Sequence, residues 1–323
     1  MKNDINTLPW SKFILRLRIV LCCLVTQTVF IAASGQSVSE HTVRTGGMER
    51  MYLSYTPAGL AAERKYPLLL VLHGGGGNAK QTMSFCGFNV LADRDKFLVV
   101  YPEGYKKGWH DGRIAPAVDA YAEDVDDISF ISSVINEMQS SLPVDPNRIF
   151  ATGISNGAMM SLHLAHKLSE KIRAIAPVCG SIAENQAKAF RPAHPVAVLV
   201  INGTDDPLVP YDGGYVLSER SRRGRIVSTN KMMEIWMSLI PSSDKPKSQA
   251  MRDADQNDGC LPERIIFPSW GINNPVQLVR ITGGGHTWPG GKQYLPKMIV
   301  GKVCKDFKAE EVIWEFFRNL QPR

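Results

Sequence analysis

The chain has 323 residues, 44% of them hydrophobic and 21% charged, and a formal net charge of +6. That length and composition suit a folded enzyme with one large domain or two small ones. The mild positive charge has no basic stripe interleaved with aromatics, so it does not argue for nucleic acid and no such partner is expected.

The first 35 residues form a leader. Lys2, Lys12, Arg16 and Arg18 precede a run from Ile19 to Ala33 that carries no charge, and Ala33, Ser34 and Gly35 are small. This order predicts a signal peptide cleaved near Gly35, leaving a secreted chain, extracellular or periplasmic, with no stable membrane anchor. An uncleaved anchor is the alternative, but the run is shorter than the ~20 residues of a comfortable span. Leu21 before Cys22 disfavours a lipoprotein site.

From residue 36 onward strand-like and helix-like runs alternate. "MERMYLSYTP" alternates in polarity and predicts an antiparallel edge strand. "PLLLVLHGG", "FLVVYPEG", "RIFATG", "IRAIAPVCG", "PVAVLVING" and "VQLVRITGGGH" are apolar runs ending in Gly, Pro or a polar loop. Runs of this kind are strands of a parallel sheet buried on both faces. "DVDDISFISSVINEMQSSL" spaces Val125, Ile128, Ile131, Ile135 and Met138 as a helix does, and "NGAMMSLHLAHKL", "NKMMEIWMSL" and "AEEVIWEFFRNL" are helices too. The alternation predicts one α/β domain over residues 36–323, with a mainly parallel sheet and helices on both faces. "ERSRRGR" is expected to be a solvated loop, and "PSSDKPKSQAMRDADQNDGC" a loop or insertion near the sheet's edge.

Gly153-Ile154-Ser155-Asn156-Gly157 stands between a strand and a helix. The pattern G-x-S-x-G holds a serine at a sharp turn where strand and helix approach closely, and Ser155 is the candidate nucleophile. The competing reading is a Gly-Ser turn that caps the helix. A serine hydroxyl needs a base, and the base an orienting acid, in the chain order Ser, Asp or Glu, His. Asp206 in "VLVINGTDDPLVPYDGG" is the candidate acid, with Asp205 its rival. His286 in "ITGGGHTWPGG" is the candidate base, set in a glycine-rich loop after a strand. His163 and His166 are expected on the surface of the helix after Ser155. "LHGGGGNA" brings glycines to the end of the first apolar strand, where backbone N–H groups can face a developing oxyanion. Gly75 and Asn156 are the candidate donors. His73 is expected to hold that loop. No Lys-Ser/Thr follows the glycines, which excludes a phosphate-binding loop.

Cys86, Cys179, Cys260 and Cys304 remain after the leader. Cys86 and Cys179 are expected as buried thiols, and Cys260 and Cys304 are the better candidates for a bridge. The spacings match no zinc site, and no metal or organic cofactor is implied.

These motifs occur together and in order, and the chain resembles the polyhydroxybutyrate depolymerase and feruloyl esterase group of secreted α/β-hydrolases. The resemblance implies an α/β-hydrolase fold and a serine carboxylic-ester hydrolase working through an acyl-enzyme. Ser155, Asp206 and His286 would be its triad, and Gly75 and Asn156 its oxyanion donors. It also implies that Trp109 and Trp288 lie near the mouth and shape the substrate site; packing is the alternative for both. Asn202 stands where such proteins often have a histidine. The implied partner is a small ester, a hydroxyalkanoate oligomer or a plant cell-wall ester. An acyltransferase or a peptidase on the same fold, and a non-catalytic binding protein, are the rival readings.

Overall fold

The computed structural model describes residues 35–61, 63–115, 125–218, 221–240, 244–268 and 274–322. The expected leader, apart from Gly35, lies outside the described residues. The remainder belongs to one compact unit, residues 33–323.

The strands are β1 (Ser37–Thr45), β2 (Met48–Thr56), β3 (Tyr66–Leu72), β4 (Leu98–Pro102), β5 (Val144–Ile154), β6 (Ala174–Val178), β7 (Ala197–Gly203), β8 (Gly214–Ser218), β9 (Ser221–Ile226), β10 (Lys247–Ala250), β11 (Leu261–Phe267) and β12 (Val276–Thr282). The helices are α1 (Ala79–Phe85), α2 (Phe88–Asp95), α3 (Asp127–Ser141), α4 (Asn156–Lys167), α5 (Thr229–Ser238), α6 (Lys297–Val300) and α7 (Ala309–Arg318). Among the described residues, ten strands form one sheet in the order β1-β2-β4-β3-β5-β6-β7-β12-β11-β10. The six central strands, β4 through β12 in that order, are parallel to their neighbours. Both edges are antiparallel.

The central strands read as unbroken apolar runs because both faces are covered. On β3, Leu68, Leu70 and Leu72 enter the core beneath α3, α4 and α5, with Phe130, Met160 and Trp236. Leu69 and Val71 enter the opposite core with Phe88 of α2 and Trp314 and Phe317 of α7. Side chains alternate along a strand, so two apolar layers require apolar residues at every position. Asp126 caps α3, its side chain accepting from the Ser129 N–H at 2.9 Å.

Three expectations are corrected by packing partners. The "MERMYLSYTP" strand is antiparallel, but β1 pairs along its whole length, so it is not the edge. The polar stretch before Cys260 contains β10, which "LPERIIF" recruits as β11 to extend the sheet. The basic "ERSRRGR" run contributes β9, which pairs with β8 in a separate hairpin rather than forming a loop. Polar edge and hairpin strands lack the apolar periodicity that marks a buried strand. No helix among the described residues is long and apolar enough to cross a membrane.

Candidate active site

Ser155 follows β5 and precedes α4 directly, with φ 58° and ψ −121°. A non-glycine residue in that region carries strain of order 1–3 kcal/mol, which persists only where surroundings enforce it. Two neighbours do so: the Ser155 N–H donates to the Val178 carbonyl of β6 at 2.9 Å, and its carbonyl accepts from Met159 of α4 at 3.0 Å. The flanking glycines are required by close approach. A Cβ on Gly157 would sit 2.3 Å from the Leu72 carbonyl oxygen, and one on Gly153 would sit 2.5 Å from the same atom. The helix-cap reading of the serine fails, since its side chain makes no cap hydrogen bond.

β7 ends at Gly203, and Asp206 lies in the turn that follows. Its Oδ1 accepts the Leu208 and Val209 N–H groups at 2.9 and 2.8 Å. Its Oδ2 lies 2.7 Å from Nδ1 of His286. Both side chains are nearly inaccessible to solvent. Asp205 instead accepts from the Thr204 hydroxyl at 2.9 Å and leaves the imidazole alone. His286 follows β12, and its own N–H donates to the Val300 carbonyl at 2.6 Å. Gly285 permits that approach, because a Cβ there would lie 2.3 Å from the same oxygen. Ser155, Asp206 and His286 thus leave β5, β7 and β12 at one carboxyl edge, with β6 between the first two strands.

Cys179, the residue after β6, fills the space below the histidine loop. Its thiol donates to the Thr287 carbonyl at 3.4 Å and the Gly285 carbonyl at 3.7 Å, on either side of His286. Burial, and then the Asp206 charge, push that thiol well above its ordinary pKa. Ligand atoms of Cys179, Asp206 and His286 lie within 4.8 Å of one another.

The glycine loop after β3 lies against the serine turn. The nearest atoms to a Cβ on Gly75 would be Arg223 Nη1 at 3.3 Å and Asn156 Cβ at 3.7 Å. The Gly75 N–H finds no backbone acceptor among the described residues. The Asn156 N–H belongs to the first turn of α4, where intrahelical acceptors are lacking. His73 is completely buried; its Nε2 accepts from the Gly104 N–H and its Nδ1 bonds the Gly74 carbonyl, both at 2.8 Å. Burial lowers its pKa to about 4, so it is a neutral strut that holds the loop.

Both tryptophans are buried. Trp109 has no exposed surface, and its indole N–H donates to the His73 carbonyl at 2.9 Å. Trp288 is 4% exposed, donates to Glu310 at 3.0 Å, and meets Phe85 and Phe88 edge-on. An indole is large enough to fill a core gap when its N–H finds a partner, and the packing reading describes both. His163 is also buried, 3.2 Å from Gln186, and burial lowers its pKa to about 4.

Sequence reasoning missed a buried polar chain. The Asn156 amide accepts from the Trp109 N–H at 2.8 Å and donates to the Trp109 carbonyl and to Asp111 at 3.1 and 2.7 Å. Asp111 pairs with Arg113, whose Nη1 donates to the Arg223 carbonyl at 2.6 Å. Its members are scattered through the sequence, and only "DGR" hints at a local ion pair. Asn202 is a second clamp: its amide exchanges two hydrogen bonds with Gly180 and donates to Thr229. Cys260 and Cys304 stand with Asp258 in another cluster within 4.8 Å, both as thiols. A cleft of about 230 Å³ lined by Tyr66, Asp95, Arg148 and Arg318 lies at the amino ends of β3 and β5, away from Ser155.

A mostly parallel sheet of this order, flanked by helices on both faces, is the α/β-hydrolase fold. An acetyl xylan esterase from Aspergillus awamori superposes with a TM-score of 0.54 at 16% identity, over 77% of this chain and 94% of that one. At that identity the likeness is one of fold. The family model described as Esterase PHB depolymerase matches residues 50–209. That match spans just under half of the chain and is a likeness to a family of esterases. The chain is 28% identical to a putative esterase, NocK, of Nocardia uniformis, over 88% of this chain and 83% of that protein. It is 27% identical to a probable feruloyl esterase C of Aspergillus niger, over 83% of each chain. It is also 27% identical to feruloyl esterase B of Piromyces equi, matching 73% of this chain and 42% of that enzyme.

Proposed function

We propose that Ser155 attacks the carbonyl of an ester substrate while His286 takes its proton, and that Asp206 holds the imidazole in the tautomer this requires. The observation that carries the reading is the 2.7 Å Asp206–His286 bond on the same sheet edge as the strained Ser155. With Nδ1–H donated to Asp206, Nε2 is the free base. The tetrahedral oxyanion is stabilised by the N–H groups of Gly75 and Asn156. Collapse releases the alcohol, protonated by His286, and leaves an acyl-Ser155 ester. Water activated by His286 then frees the acid.

The substrate is a small ester of the hydroxyalkanoate or plant cell-wall kind, supported by the family and by relatives named feruloyl esterases. The leader reading makes the protein an exported one, which sequencing the amino terminus of the mature chain would test. For the chemistry, a fluorophosphonate is expected to label Ser155 and stop turnover of p-nitrophenyl acetate. Parallel assays on 3-hydroxybutyrate oligomers, acetylated xylan and methyl ferulate then rank the ester class. No label and no p-nitrophenol release would leave only a non-catalytic binder.

A further inference from the structure

Three arginines lie on β9, and their surroundings differ. Arg225 pairs with Glu184 at 2.6 Å. Arg222 and Arg225 both stack on Tyr215, with guanidinium carbons 4.4 and 4.9 Å from the ring centre. Arg223 turns toward the glycine loop, where its Nη1 would lie 3.3 Å from a Cβ on Gly75, the residue beside Asn156. Its Nε is buried and has no hydrogen-bond partner among the described residues, and none of their carboxylates pairs with it. Its backbone is held firmly. The Arg223 carbonyl accepts from Arg113, which is locked to Asp111 and through it to the Asn156 side chain. Gly224 lies against the 113–115 segment, where a Cβ would meet the Ile114 carbonyl at 2.9 Å.

We propose that Arg223 binds a free carboxylate carried by the ester substrate, so that the site selects short acid-terminated esters over neutral ones. The assignment rests on the esterase reading above, with Gly75 and Asn156 beside the reacting carbonyl. Leaving a buried guanidinium nitrogen without an acceptor is unfavourable, and a small turn of the side chain toward an anion at the glycine loop removes that penalty. The planar fork of a guanidinium matches the two oxygens of a carboxylate, and such charge-assisted pairs are the stronger class of hydrogen bond. The Asp111–Arg113 strut fixes the backbone that carries the group before substrate arrives, which lowers the ordering cost of binding. Arg222 and Arg225 already have partners, so the feature is one directed cation and not a diffuse basic patch.

The test uses two ligands that share one scissile bond: the linear dimer of 3-hydroxybutyrate with its carboxyl free, and the methyl ester of that dimer. Each competes against p-nitrophenyl acetate, so binding is read whether or not the dimer is cleaved. The free acid is expected to compete about ten-fold better than the methyl ester in the natural protein, a preference worth one charge-assisted contact. Arg223→Gln is expected to bring that ratio to within about two-fold, while Arg225→Gln keeps it. Arg223→Lys, which retains charge without the fork, is expected to keep part of it and serves if Arg223→Gln does not fold. A natural protein without the preference, or one that keeps it in Arg223→Gln, overturns the proposal. Absence of any p-nitrophenyl acetate turnover strikes the esterase reading instead.

Discussion

His286 and Asp206 are joined by a 2.7 Å hydrogen bond, and Asp206 is held facing the ring because its other oxygen accepts two backbone N–H groups. Asp205, the next residue toward the amino terminus, is committed to Thr204. Mutation should therefore separate the two acids cleanly. Asp206→Asn is expected to lower kcat by about 10⁴, as the imidazole loses the acceptor that sets its tautomer. Asp205→Asn should leave kcat within about two-fold. Ser155→Ala and His286→Ala should each cost about 10⁶, with no further loss when combined. Steady-state rates on p-nitrophenyl acetate decide, and an Asp205→Asn protein as slow as Asp206→Asn would reverse the assignment.

Cys179 is expected to position His286 rather than to react. Cys179→Ala removes a donor from the carbonyls of Gly285 and Thr287 and opens space below the loop. The expected result is a fall in kcat of about ten-fold with little change in KM, partly recovered in Cys179→Ser. A raised thiol pKa and full burial also predict slow alkylation of the native protein by iodoacetamide. Rapid alkylation at this residue would contradict the role.

Acid stability follows from two buried histidines. His73 and His163 are lowered from 6.5 to about 4 chiefly by burial. Between those values the unfolded chain takes up protons that the folded one refuses, so stability rises with pH across that window. The contribution is complete above about pH 6.5, is lost as pH falls toward 4, and amounts to roughly 3 kcal/mol for each residue. Urea unfolding at pH 4.5 and pH 7 should show it, and replacing either histidine by Gln should flatten the difference.

The tryptophans should report on stability and not on substrate. Trp288→Phe removes the indole donor from Glu310, and Trp109→Phe removes one from the His73 carbonyl. Each is expected to lower stability by about 1–3 kcal/mol with KM unchanged. A several-fold rise in KM without a change in Tm would return them to the substrate site.

Much of this protein is legible in its sequence because the relevant forces are local. Apolar runs mark strands buried on two faces, and 3.6-residue spacing marks the helices that cover them. Glycines at 153 and 157 announce a turn where another chain segment passes too near for a Cβ. Ser155, Asp206 and His286 can be chosen as candidates since each sits where a strand run ends. What the residues alone leave open depends on partners far away in the chain. Asp205 and Asp206 have the same chemistry, and only the path of the turn decides which carboxylate meets the imidazole. Trp109 and Trp288 suit a mouth or a core equally well until their N–H groups are seen to be satisfied inside. The chain from Asn156 through Asp111 and Arg113 to Arg223 joins segments remote in sequence, and no local pattern encodes it. Secondary structure and turn chemistry follow from neighbours along the chain, whereas the directions in which buried polar groups point are chosen by packing in three dimensions.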